Sequence, residues 1–273
     1  MDDPLIYFDL ETATSTGAPH LLEIGAVRVV DGEAVDTFQS LVLPQVPISE
    51  DTTEIHGLTE ADVRSAPFAA EILPEFTDWI GDDWLVAHDI RRDAETLGFE
   101  YARAQLSPPA APLLCTLKLA RAAFPEAHDH KLATLGDHLD LEEGRRHRAL
   151  EDATLCWQIA EACIEKLNLD SGPSLLAACG SRSPAASLAT STPSTPRTKT
   201  RWRPLQDAVA SGDSRAVEIL YGESVLGSHA RLPVVPRLLY RRGDGDYLEA
   251  ECARTGTLKT YSLDRVLRVQ EHA

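Results

Sequence analysis

The chain has 273 residues, enough for one large domain or two modest ones, and its 43% apolar content is ordinary for a folded soluble protein. Its formal charge of −17 is unevenly spread: residues 1–170 hold 12 Lys or Arg against 33 Asp or Glu, while residues 171–273 hold 14 against 10. No apolar run approaches the roughly 18 residues of a membrane span, and nothing resembles a signal peptide, since Asp2 and Asp3 precede the first apolar stretch. The five scattered cysteines form no C-x-x-C pair, so reduced thiols in a cytoplasmic protein are expected and a zinc site is not. A surface as negative as that of residues 1–170 repels nucleic acid over long range. A nucleic-acid enzyme built there needs metal ions, a local basic rim, or help from the second part.

In chain order, Leu5–Thr12 reads as a buried strand that closes with Asp9 and Glu11. Strand side chains alternate faces, so the two carboxylates point the same way. At a buried strand end they repel each other and lose solvation, and a hard divalent cation is their natural partner. A second strand over 21–30, a tight turn at Asp31-Gly32 and a third strand over 34–43 make an antiparallel meander, which Pro44 and Pro47 end. Thr59 with Asp62 resembles a capping box and predicts a short helix. Phe68, Ile72, Phe76 and Ile80 recur at helical spacing. A short buried strand over 84–87 precedes His88-Asp89. Ile90, Ala94, Leu97 and Tyr101 then trace one helix face, with Asp93 on or beside it, where an unpaired carboxylate is costly.

Residues 113–116 predict another strand, 118–124 and 132–139 predict helical pieces, and 149–167 predicts a long helix with Asp152 on its core side, four residues before Cys156. Strands alternating with helices after a meander predict a mixed α/β sheet. Residues 171–203 turn rich in Ser, Thr, Pro and Ala, the composition of a flexible linker, and end in Arg197, Lys199, Arg201 and Arg203, a basic arm able to touch nucleic acid. Residues 204–273 begin with a helical piece at 205–210. Short strands are predicted at 216–221, 234–240, 247–252, 258–263 and 266–269, with turns at Gly243-Asp244-Gly245 and Thr255-Gly256, the pattern of a small barrel. The expected organisation is a domain over 1–170, a linker over 171–203 and a second domain over 204–273.

Three stretches carry the chemistry: Asp9-Leu10-Glu11-Thr12, the segment ending in Asp93, and His147-Arg148-Ala149-Leu150-Glu151-Asp152. Four converging carboxylates hold two divalent metals, which stabilise the attacking water and the leaving oxygen of an in-line phosphoryl displacement. A histidine five residues before the last acid, in the loop ahead of its helix, is placed to accept a proton. No Gly-rich phosphate loop, Cys nucleophile or dinucleotide fingerprint competes.

On these motifs residues 4–168 resemble the DnaQ-like DEDD exonucleases, in the subgroup whose third motif begins with histidine. D-x-E-T matches Asp9 to Thr12, I-H-G-[IL]-T matches Ile55 to Thr59, and H-x-A-x-x-D matches His147 to Asp152. The resemblance implies a ribonuclease-H-like fold and 3′→5′ exonuclease activity on single-stranded DNA or RNA ends, with two divalent ions, Mg²⁺ or Mn²⁺. It implies that Asp9, Glu11, Asp93 and Asp152 are the metal ligands and His147 the general base. It also implies that the Leu10 backbone, Thr12 and His56 meet the terminal nucleotide. The middle motif departs from the family pattern: Asp89 stands for the usual asparagine, and Arg92, free to touch a phosphate or pair with Asp89, for the usual aromatic. Residues 214–270 resemble a WYL domain through Ile219-Leu220-Tyr221, Arg231, Pro236, Tyr247 to Ala250 and Leu263 to Val266, although Asp246 replaces the name-giving tryptophan and Ser262 the usual basic residue. This second resemblance implies a small Sm/SH3-like β-barrel that binds nucleic acid or a nucleotide, with Arg231, Arg237, Arg241, Arg242 and Arg265 as a positive face. It also admits an alternative: a non-catalytic WYL-type regulator.

Overall fold

The computed structural model describes residues 4–141, 147–179, 187–197, 199–212, 214–222 and 229–271. The chain divides into two units, one up to Thr192 and one from Pro193.

The first unit is built on a five-stranded sheet in the order β3-β2-β1-β4-β5. β1 (Leu5–Thr12), β2 (Leu21–Val30) and β3 (Glu33–Leu41) form the expected meander. The hairpin from β2 to β3 turns at Asp31 and Gly32, both left-handed at φ 52° and 78°, the backbone that a two-residue turn between twisted strands requires. β4 (Trp84–Ala87) and β5 (Leu113–Cys115) add on parallel to β1, so all three strands end at the same edge. β1 is apolar on both sides because both faces of the sheet are covered. Ile6 and Phe8 meet α3 (Ala69–Ile80) and α4 (Ile90–Arg103) through Phe76, Leu97 and Tyr101. Leu5 and Tyr7 meet α5 (Thr116–Ala123) and α7 (Ala149–Leu167) through Leu119, Leu155 and Ile159. Each such fully buried side chain contributes about 1.5–3 kcal/mol. Asp9 and Glu11 share the parity of Leu5 and Tyr7, and therefore belong to the α7 side.

Three shorter helices also belong to this unit: α1 (Glu50–His56), α2 (Glu60–Val63) and α6 (Leu132–His138). Thr59 and Asp62 form the expected capping box of α2. α1 was not expected, although its signals stand in the sequence: Ser49 accepts from the Thr52 N–H, and Gly57 closes the helix in the left-handed region.

The stretch expected as a linker over 171–203 is built differently. Ser171 caps α8 (Gly172–Ala178), which buries Leu175. Leu188 is 0% exposed in the α3/α4 core, and its N–H bonds the Ala111 carbonyl. Backbone closes on α4 at Gly98, where a Cβ would lie 2.1 Å from the Ser191 carbonyl oxygen. A polar, proline-rich composition is outweighed here by a few well-spaced apolar residues that find a core. From Pro193 onward the chain belongs to the second unit, with Ser194 bridging Arg241 and Trp202 fully buried.

That second unit is a five-stranded antiparallel sheet in the order β10-β6-β7-β8-β9. Its strands are β6 (Val217–Gly222), β7 (His229–Arg242), β8 (Gly245–Cys252), β9 (Leu258–Ser262) and β10 (Val266–Glu271). α9 (Arg203–Ser211) contributes Leu205 to a core with Trp202, Val217, Leu248 and Tyr261. The order runs from β10 to β9, and the turn Leu263–Arg265 links these two strands in the chain.

Candidate active site

The site lies where β1 and β4 end. Asp9 is level with Gly25 of β2, and Glu11 with Glu23. α7 rests on β2 at Gly25, where a Cβ would come within 2.0 Å of the Leu150 nitrogen. Only glycine permits that approach, and it brings Asp152, in the first turn of α7, to the acids of β1. Asp93 sits in the first turn of α4 at 7% exposure. His88 braces the entry to that helix: Nε2 pairs with the His130 carbonyl at 2.7 Å and Nδ1 with the Thr116 hydroxyl at 2.9 Å. Both ring nitrogens are engaged, and burial holds the His88 pKa below the ordinary histidine value, so this ring is neutral and structural.

Glu11, His147 and Asp152 each present an atom within 4.8 Å of the other two. His147 is exposed and has a left-handed backbone, φ 59°, as does Asp89 at the head of α4, also φ 59°. Such backbone is uncommon outside glycine and gathers at functional sites.

Burial and mutual repulsion dominate the electrostatics. Burial raises the Asp9 pKa well above the usual carboxylate range, and the charges of Asp93, Glu11 and Asp152 raise it further. Glu11 is pushed up to about 8, chiefly by burial and then by Asp152 and Glu23, against the pull of Arg148. Burial also raises Asp93, while Arg92 pulls the other way. Carboxylates whose charged forms are disfavoured by burial and by one another, as at Asp9 and Glu11, are a poor fit to water and a good fit to hard divalent cations, whose binding displaces the protons.

The sequence-predicted nucleotide contacts lie around this cluster. Leu10 is buried, and Thr12 donates its hydroxyl to the Thr14 carbonyl at 3.3 Å. His56, at the end of α1, is buried and accepts the Leu58 N–H on Nδ1 at 3.0 Å, which leaves its proton on Nε2. Burial lowers its pKa, and Glu23, His147 and Arg148 are among the charges that act on it. Arg92 is exposed, and its charge acts on Asp93.

The RNase_T exonuclease family model matches residues 6–160. The chain belongs to the exonuclease family. Over 168 residues it is 32% identical to the DNA polymerase III subunit epsilon of Aquifex aeolicus, a match covering 61% of this chain and 83% of that one. It is 36% identical over 171 residues to a PolC-type DNA polymerase III of Oceanobacillus iheyensis, covering 60% of this chain. The chain spans only 12% of the length of that PolC-type relative. Among solved structures it is similar to Exonuclease X in complex with 5′ overhanging duplex DNA, at 27% identity and a TM-score of 0.50, covering 65% of this chain and 99% of that one. The first unit is thus a DnaQ-like exonuclease with a ribonuclease-H-like fold.

Three residues that shape the surroundings of this acid cluster escaped sequence reasoning: Glu23, Gly25 and Arg148. Glu23 had a signal, a lone carboxylate inside an apolar strand run, which is buried only when paired. In the second unit, the expected positive face is largely neutralised. Arg231 pairs with Glu218 at 2.8 Å, Arg237 with Glu251 at 2.9 Å and Arg241 with Asp246 at 3.5 Å, while Arg265 lies over the Tyr221 ring and donates to the Gly222 carbonyl. Asp246, which stands where the WYL family has its tryptophan, is 5% exposed and also accepts the Arg197 N–H, which fastens the chain at Arg197 to the sheet. Among the described residues no helix is long and apolar enough to cross a membrane.

Proposed function

We propose that this protein is a 3′→5′ exonuclease that hydrolyses phosphodiester bonds at single-stranded DNA or RNA 3′ ends, using two divalent ions, Mg²⁺ or Mn²⁺. The observation that carries the reading is the gathering of Glu11, His147 and Asp152 within 4.8 Å, beside an Asp9 whose pKa is raised by burial and then by the charges of Asp93, Glu11 and Asp152. Asp9, Glu11, Asp93 and Asp152 would hold the ions, whose chemistry when bound is charge neutralisation at the attacking and leaving oxygens. His147, exposed and outside the buried acid layer, accepts the proton of the attacking water. The Leu10 backbone, Thr12 and His56 orient the terminal nucleotide. A cytoplasmic setting agrees with five free cysteines.

We further propose that residues 193–273 form a WYL-like module with an Sm/SH3-like strand arrangement that binds nucleic acid or a nucleotide and is tethered to raise the local concentration of substrate. Support comes from the five antiparallel strands, while the arginine pairing described above leaves its binding charge to residues such as Arg201, Arg203 and Arg268, which are exposed.

The test is a gel assay with 5′-labelled single-stranded DNA and RNA of one sequence and a duplex with a 5′ overhang, in Mg²⁺ or Mn²⁺, with Asp9→Ala as control. A ladder shortening from the 3′ end and absent in the variant is the expected result. Absence of digestion on every substrate would overturn the reading.

A further inference from the structure

Glu23 is the third residue of β2, among Leu21, Leu22, Ile24 and Ala26, at 0% exposure. A carboxylate so placed is costly unless it is paired and its lone pairs are used. All are. Arg148 grips it as a fork, Nη2 at 2.6 Å and Nε at 3.0 and 3.2 Å. The Ala149 N–H donates to it at 3.2 Å and Gln39 Nε2 at 3.3 Å. Ala149 opens α7, so its amide is one of the helix-end donors that has no partner inside the helix. Glu23 therefore caps α7 from a neighbouring strand while it holds Arg148.

Arg148 and Ala149 directly follow His147. A left-handed backbone at a residue with a Cβ persists only where its surroundings hold it, and the grip on the next two residues supplies that hold. The other end of the clasp is the acid-bearing strand, because Glu23 is level with Glu11 and Gly25 with Asp9. A buried ion pair of this kind adds little net stability over apolar residues of the same size. Its distinctive effect is geometric.

We infer that Glu23, acting together with Arg148, is a positioning residue for His147: the clasp fixes the peptide ahead of α7 and so sets the imidazole beside Glu11 and Asp152. The inference rests on the exonuclease reading above for its kinetic consequence, and on geometry alone for the clasp. Lysine cannot replace Arg148 here, since it lacks the planar fork that takes both carboxylate oxygens.

The test uses the full-length chain with Arg148→Lys and Glu23→Gln, which keep volume and polarity, and Glu23→Ala as the severe variant. Arg148→Lys and Glu23→Gln are expected to lower kcat about 10–100-fold on a 5′-labelled single strand, as small misplacements near reacting groups do, with KM within about threefold. Because the clasp acts through His147, adding His147→Gln to Arg148→Lys should cost much less than adding it to the wild type. Hydrogen exchange should show protection lost across residues 147–153 in Glu23→Ala. Additive kinetic losses, or an unchanged kcat in both mild variants, would overturn the positioning role. An inactive wild-type protein would sink the exonuclease reading instead. The exchange measurement then decides the clasp, which stands if protection is lost at 147–153 and falls if it is unchanged.

Discussion

In the exonuclease unit, Asp9, Glu11 and Asp93 are crowded where the strands end and burial raises the pKa of each, while Arg148, which pulls Glu11 the other way, is already committed to Glu23. In the C-terminal unit, Glu218, Glu251 and Asp246 each face an arginine of their own. The same residue types serve opposite ends. Carboxylates left short of positive charge store repulsion that a bound cation relieves, and they mark a site. Carboxylates with a private partner hold strands together and mark a scaffold.

That contrast is sharpest at Asp9. Asp9→Asn should abolish exonuclease activity, on the order of 10³-fold or more in kcat, since losing several kcal/mol of charge stabilisation is worth about tenfold per 1.36 kcal/mol. The same change should raise the melting temperature of the metal-free protein at pH 8, because it removes a carboxyl whose ionisation burial and its acidic neighbours oppose. A variant that is both inactive and less stable would break the comparison. His147→Ala should lower kcat by about 10²–10⁴-fold while leaving Mn²⁺ binding detectable by calorimetry. Gly25→Ala forces α7 away from β2, since a Cβ would meet the Leu150 nitrogen at 2.0 Å, and should lower kcat about 100-fold through the separation of Asp152 from Asp9.

A pH prediction follows from Glu11, which titrates near 8 in the fold and near 4.5 in the unfolded chain. A group whose folded pKa is raised contributes stability that is complete below the unfolded value and is lost as pH rises through the folded one. The metal-free protein should therefore lose stability between about pH 4.5 and 8, and Mg²⁺ or Mn²⁺ should raise its melting temperature more at pH 8 than at pH 6, read by thermal unfolding. Equal shifts at both pH values would mean that the acids are already ionised and separately solvated. The smallest effect is expected in the other unit. Glu251→Ala breaks the half-exposed pair with Arg237 and should cost at most about 1 kcal/mol in denaturant unfolding, with exonuclease activity unchanged.

The gathering of the acids was largely legible from residue order. The alternation of β1 placed Asp9 and Glu11 on one face, and the helical stripes through Ala94 and Leu97 and through Cys156 and Ile159 carried Asp93 and Asp152 inward. α7 runs over the predicted 149–167, because a long apolar stripe has one helical register that buries it. What was not legible depended on pairings far apart in sequence. Arg148 reaches back 125 residues to Glu23, and no local pattern announces that distance. Leu188 finds a core whose existence the surrounding serines, threonines and prolines do not advertise. The arginines of the second unit looked like a binding face until strand pairing brought Glu218, level with Pro233, within reach of Arg231 and Glu251, level with Val235, within reach of Arg237.

By itself, then, the sequence determined the elements that periodicity and turn chemistry control: the meander, its hairpin at Asp31-Gly32, the inward acids and the helix that bears Asp152. Only the tertiary structure decided which charges are paired. Local pattern reports the face a side chain takes, whereas charge pairing depends on the strand or helix that arrives opposite it. For Glu23 that was the head of α7, and for Asp9 it was other carboxylates.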